Sequence, residues 1–309
     1  MPLAWVGLDL LLTKRHEAPP FPLASKAFPS AKRRHTLEAW TQTTARPLPP
    51  TALFLRRFFV ATFVIHPIVL GTKEFDKGMM TYQFNYGQPY TIPIYGWYLE
   101  GGDKRILVDT GEMRPVISEA REAAIGGPIH TLESGLARFG LKPADIDVVV
   151  HTHLHNDHCE NDAWCENAVF YVHELELAHA QNPHPLDYRY NEEYIADVVD
   201  AGQMVTVARD TNVVPGVRMV HTPAHSEGGM SVFVDTPAGT AIITGFCVIK
   251  ENLFPPKAVT AREMEVIPPG TCVNSYTAYD IVRRIRDAAD IVIPLHEPSF
   301  ATGAPIGLK

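Results

Sequence analysis

Six consecutive residues, His153-Leu154-His155-Asn156-Asp157-His158, set three imidazoles and a carboxylate directly after the apolar run Ile146-Asp147-Val148-Val149-Val150. Three imidazoles side by side would repel one another on protonation, so their crowding needs a physical reason. A metal ion supplies one, because imidazole nitrogen and carboxylate oxygen are the usual donors to zinc and suit its first-row neighbours. Three further candidate donors stand in equivalent places downstream. His225 follows the strand-like residues 216–220, Cys247 follows the apolar residues 240–246, and His296 ends the run Ile291-Val292-Ile293-Pro294-Leu295. Each sits where an apolar strand stops and a loop begins. Donors at the ends of several strands can converge on one site, which scattered histidines in a polar loop cannot do.

The remainder of the chain narrows the classes. With 46% hydrophobic and 20% charged residues the 309-residue chain has the balance of an ordinary globular protein. A net charge of −8 leaves no basic footprint, so a nucleic-acid partner is not expected. No window reaches the roughly 18 apolar residues of a spanning helix, so no membrane insertion is expected. The first residues lack the pattern of a signal peptide, which makes the cytoplasm the expected location. Cys159, Cys165, Cys247 and Cys272 are too few for a disulfide scaffold. Residues 1–57 read differently: seven prolines from Pro19 to Pro50 and the cluster Lys32-Arg33-Arg34-His35 predict a flexible, basic extension.

Beyond it, residues 60–69, 91–99 and 105–109 have strand patterning. Residues 128–139 predict a helix, with Ile129, Leu132, Leu136 and Phe139 at helical spacing. A second helix is expected over 174–180 and strands over 204–208, 218–221, 231–234 and 241–244. A last helix over 275–289, with Tyr276, Ile281 and Ile285 inward, feeds a strand at Ile291. The segment 180–203 carries Tyr188, Tyr190 and Tyr194. These either offer large rings to an apolar substrate tail at small entropic cost or pack within a helical insertion.

In order along the chain, Ile106-Leu107-Val108-Asp109-Thr110-Gly111, the motif from His153 to His158, Val214-Pro215-Gly216-Val217, Thr222-Pro223-Ala224-His225-Ser226 and His296 resemble the metallo-β-lactamase superfamily. Within it they are most similar to the N-acyl-homoserine lactonase-like hydrolases. The resemblance implies an α+β fold, the αββα sandwich, with residues 58–309 as the catalytic domain. It further implies a zinc-dependent hydrolase with two ions per chain. His153, His155 and His225 would hold the first, and Asp157, His158 and His296 the second. A hydroxide between the metals, available because bound water has a pKa of about 7, would attack a lactone or related carbonyl of a small-molecule substrate. By the same resemblance Asp157 shuttles the proton and Asp109 orients a ligand histidine through its other ring nitrogen.

One departure stands out. The strand over 241–244 continues as Gly245-Phe246-Cys247-Val248-Ile249-Lys250, without the carboxylate that bridges the metals in dinuclear relatives, and Val248 replaces the lactonases' tyrosine. The pattern is similar to the Gly-x-Cys turn of those metallo-β-lactamases that ligate zinc through cysteine, at about 2.3 Å. Cys247 therefore either completes the second site or is a small buried residue. If it ligates, a β-lactamase-type amidase is the alternative, with Lys250 meeting a substrate carboxylate. A thioester hydrolase, a persulfide dioxygenase-like member and a degenerate metal-binding protein are further alternatives. His151, His221 and Cys159 flank the motifs and are expected to be structural.

Overall fold

The computed structural model describes residues 61–309; the extension expected over residues 1–57 lies outside them. Eleven strands among the described residues form two sheets. The first holds β1 (Val64–Asp76), β2 (Pro89–Glu100), β3 (Ile106–Val108), β4 (Val148–Val150), β5 (Val169–His173) and β6 (Met204–Val207), in that spatial order. The second contains β7 (Thr211–Val214), β8 (Val217–His221), β9 (Met230–Thr236), β10 (Gly239–Ile243) and β11 (Ile291–Ile293), ordered β11-β10-β9-β8-β7. Strands β3 to β6 run parallel, and β10 pairs parallel with β11. The other pairings are antiparallel.

Period-two alternation explains the layering. In β4, Val148 and Val150 point between the sheets with Val69, Trp97, Val108, Met219, Val232 and Ile243. Val149 points the other way, into a second core with Leu107, Phe170 and Val172. Helices α1 (Glu119–Ile125), α2 (Leu132–Ala137), α4 (Glu174–Gln181) and α5 (Ala196–Asp200) follow strands of the first sheet, and α2, α4 and α5 cover that second core. Helix α8 (Ser275–Ala288) covers the outer face of the second sheet through Ala278, Ile281, Val282 and Ile285. These four recur at helical spacing, and each fully buried aliphatic side chain contributes about 1.5–3 kcal/mol. The Asn274 side chain caps the helix by accepting from the Thr277 amide. The result is the αββα sandwich. The short helices α3 (Asn156–Cys159), α6 (Lys250–Leu253) and α7 (Lys257–Thr260) sit in loops.

Several expectations shift. The first strand runs to Asp76 rather than ending at Val69, past Pro67, which this edge strand of the sheet tolerates. The helix expected over 128–139 contracts to α2, because the His130 amide is bonded to the Val69 carbonyl and Thr131 caps the first turn. Tyr276 is 86% exposed rather than inward, being far around α8 from the stripe through Ala278 and Ile281. The sequence patterning does not predict helix α1 or strands β5 and β7. Among the described residues no helix is long and apolar enough to cross a membrane.

Candidate metal centre

All seven proposed donors line one cavity of about 260 Å³, although they come from loops after β4, β8, β10 and β11. The turn after β4 carries His153 and His155, and α3 immediately adds Asp157 and His158. The donor atoms of His153, His155 and His225 lie within 4.8 Å of one another, and all three rings are buried. Nε2 of His225 faces Nδ1 of His155 at 3.1 Å. Two nitrogens about 2.0–2.1 Å from a tetrahedral zinc stand roughly 3.3 Å apart, so this spacing fits that ion.

Hydrogen bonds to the far ring nitrogens fix which atom faces inward. Nδ1 of His225 donates to the Thr271 carbonyl at 2.6 Å, Nδ1 of His296 to the Pro93 carbonyl at 3.0 Å, and Nδ1 of His158 to Asp109 Oδ2 at 2.8 Å. His153 Nδ1 lies 3.0 Å from the Thr152 hydroxyl, which itself donates to Asp109 Oδ2 at 2.7 Å. This tautomer, Nδ1–H with Nε2 bare, is the one that ligates through Nε2. Asp109 thereby holds His158 directly and His153 through the Thr152 hydroxyl. It adopts a left-handed backbone (φ 58°) just past β3, and Gly111 (φ 73°) completes the turn.

Electrostatics favour the same states for His153, His225 and His296. Burial and neighbouring imidazoles, His158 first, push His153 well below the usual histidine value, and burial with His155 does the same to His225. Burial together with His158 lowers His296 to about 4. These rings are neutral at neutral pH, the form that binds a metal. Burial opposes ionisation of Asp157, but His158, Lys73 and His296 hold its carboxyl below the ordinary range. Burial likewise opposes charge on His158, yet Asp109 and Asp157 carry it above the usual value.

The second proposed set is looser. Asp157 Oδ1 is 4.0 Å from His158 Nε2, and the rings of His158 and His296 are centred 5.4 Å apart. Cys247 reaches the cavity wall, but its thiol contacts the Met80 sulfur at 3.6 Å, and burial pushes it up to about 12. Phe246, next to it, is buried under α8, and Val248 lies in the same core. Lys250 is exposed and does not line the cavity; its amide donates to Glu297.

His151 is fully buried, 2.9 Å from Asp162 and 3.6 Å from Asp109. His221 stacks on His173, with ring centres 4.4 Å apart, away from the cavity. The Cys159 thiol donates to the carbonyls of Leu154 and His155. Of the three tyrosines only Tyr188 lines the cavity; Tyr190 is buried, and its phenol, pushed far up by burial and Glu176, donates to Glu176 at 2.9 Å. Sequence reasoning missed Arg189. Its Nε and Nη2 clasp Asp187 at 2.6 and 2.9 Å, and its Nη1 points to His225 Nε2 at 3.4 Å. It also missed the apolar wall of Phe75, Met79 and Ile92. Nothing in the local sequence marks these residues, which reach the cavity only through tertiary packing.

An αββα sandwich with histidines gathered at its strand ends defines a class of protein. The model of the metallo-beta-lactamase superfamily matches residues 91–266, more than half of the chain, and the chain belongs to that superfamily. Among curated proteins it is 28% identical over 183 residues to an N-acyl homoserine lactonase of Bacillus cereus, covering 55% of this chain and 69% of that enzyme. It is 26% identical over 163 residues to a probable metallo-hydrolase of Methanocaldococcus jannaschii, covering 53% of this chain and 63% of that one. The chain thus spans about two thirds of the length of these relatives. A solved N-acyl homoserine lactone hydrolase, with N-hexanoyl-L-homoserine at its catalytic metal center, superposes with a TM-score of 0.61 at 24% identity, covering 76% of this chain and 94% of that one. AidC, a dizinc quorum-quenching lactonase, gives 0.54 at 13% identity, covering 77% and 92%. At these identities the structural likeness establishes the fold.

Proposed function

We propose that the chain is a zinc-dependent hydrolase that opens a lactone or a closely related small carbonyl compound. The observation that carries this reading is the convergence of His153, His155 and His225, with candidate donor atoms within 4.8 Å, on the lining of a cavity of about 260 Å³. His153, His155 and His225 hold the first ion; Asp157, His158 and His296 hold the second, with Cys247 on the wall beside them. When bound, zinc supplies Lewis acidity and hydroxide at neutral pH.

The protein's own residues do the rest. Phe75, Met79, Ile92 and Tyr188 exclude water and seat an apolar substituent. Arg189 Nη1 offers an N–H donor to a substrate oxygen beside the first site. Asp157, ionised at neutral pH, accepts the proton released as water oxygen bonds to the carbonyl carbon. It returns that proton to the ring oxygen as the carbon–oxygen bond breaks, giving a hydroxy acid. The exposed position of Lys250 removes one support for the amidase alternative.

Elemental analysis followed by a panel of lactones, β-lactams and thioesters tests the proposal. The expected result is bound zinc, ring opening of a lactone followed by acid release, loss on chelation and recovery with zinc. Zinc-loaded protein that cleaves only β-lactams, or nothing on the panel, would refute it.

A further inference from the structure

Glu176, in α4, is fully buried and lies outside the proposed donor set. Its Oε2 accepts from the Leu154 amide at 3.0 Å and from the Tyr190 hydroxyl at 2.9 Å, and its Oε1 accepts from the Gly228 amide at 3.0 Å. These donors belong to three separate segments that meet at the cavity. Leu154 lies between His153 and His155. Gly228 lies three residues beyond His225. Tyr190 follows Arg189, and its ring is centred 4.5 Å from that of His155.

We propose that Glu176 is a positioning residue that sets the separation of His155 from His225, and with it the metal affinity of the first site. The inference rests on the metal reading above. His155 and His225 come from loops of different sheets, and the 3.1 Å between their facing nitrogens depends on both loops keeping their places. The Met230 amide, bonded to the Thr152 carbonyl at 2.8 Å, joins the loops at their bases. Glu176 joins them farther out, beside the donors. Gly228 shows how closely the parts fit: a Cβ there would lie 2.8 Å from both Cγ and the amide nitrogen of Glu176. Through Tyr190 the same carboxyl holds the segment that presents Tyr188 and Arg189 to the cavity. Mutating the outer hydrogen-bonding groups that hold metal ligands in place typically costs 10–100-fold in metal affinity.

Glu176→Gln keeps the shape but cannot serve both loops. Its NH2 group must face either the Gly228 N–H or the Leu154 N–H, setting donor against donor. Zinc affinity, read by competition with a chromophoric chelator, should fall 10–100-fold. The visible bands of the cobalt form should shift, while circular dichroism of the metal-free protein stays that of the parent. Gly228→Ala, which pushes the loop off Glu176, should change both readouts in the same direction. Unchanged zinc affinity in a folded variant of either kind overturns the proposal. Hydrogen exchange in the unmodified, metal-free protein needs no variant: the Leu154 and Gly228 amides should exchange slowly, and free exchange of either overturns it as well. None of these readouts is turnover, so a chain that binds zinc yet opens no lactone would refute the proposed function and leave this inference standing.

Discussion

Asp109→Asn tests how the core controls the candidate centre. Asp109 is fully buried, its Oδ1 accepts from the Thr152 amide at 2.8 Å, and its Oδ2 accepts from the Thr152 hydroxyl and His158 Nδ1. An asparagine must place its NH2 at one of these positions. At Oδ1 it meets the Thr152 N–H. At Oδ2 it meets His158, which can then accept only by moving its own proton to Nε2, the atom that faces the cavity. Either placement breaks a charge-assisted bond worth about 1.5–3 kcal/mol. The pKa agrees in size: burial works against the carboxylate, but His158 and His151 hold it at about 2 against an ordinary 3.8, which corresponds to roughly 2 kcal/mol. A depressed carboxyl stabilises the fold above its unfolded value and loses that contribution as pH falls through the folded one. The deficit of the variant should therefore be full at neutral pH and fade between about pH 4 and pH 2. Urea unfolding of the metal-free protein reads the stability, and chelator competition reads zinc, for which a 10–100-fold loss is expected. Wild-type zinc affinity with wild-type stability at pH 7 would refute the reasoning.

His155→Ala and His225→Ala should each lose the first zinc by elemental analysis and lower turnover by orders of magnitude, with circular dichroism unchanged; full metal retention in either would contradict the ligand assignment. His151→Phe strips Asp162 of its buried partner and should destabilise by about 3–5 kcal/mol. Burial opposes charge on His151, but Asp162 and Asp109 raise it to about 10 from 6.5, so the pair's contribution is whole below pH 6.5 and is lost as pH rises through about 10; urea midpoints that differ from wild type equally at both ends of that range would refute it. Cys247→Ser should cost about one zinc per chain if the thiolate ligates, and the cobalt form of the unmodified protein should show a near-ultraviolet thiolate charge-transfer band; absence of the band with both metals retained would make Cys247 a packing residue only.

The candidate donors are legible because histidines and a carboxylate crowd at strand ends, and the run from His153 to His158 stands out without any tertiary information. The strand patterning of β2, β9 and β10 was equally plain, since burial on one or both faces writes itself into a short window. What escaped notice depends on partners distant in sequence. Nothing near His130 announces that its amide is held by Val69, so α2 is shorter than the spacing over residues 128–139 predicts. Tyr276 has an apolar ring, and only the stripe through Ala278, Ile281, Val282 and Ile285 shows which side of α8 is covered. Arg189 and Glu176 are ordinary charged residues in polar stretches, and their places at and behind the cavity are set by the packing of three segments.

The seam between the two sheets passes beneath the first triad: His153 and His155 extend from β4 in one sheet and His225 from β8 in the other. An ion bonded to all three is a cross-link between the halves of the sandwich, present only while the chain is folded. Its binding energy is then folding energy, about 4 kcal/mol when free zinc stands at 1,000 times the dissociation constant. Thermal midpoints should climb with zinc concentration. In a cell, scarcity of the ion would raise the unfolded fraction exposed to proteases, so the amount of this protein would follow metal supply even with its synthesis held constant.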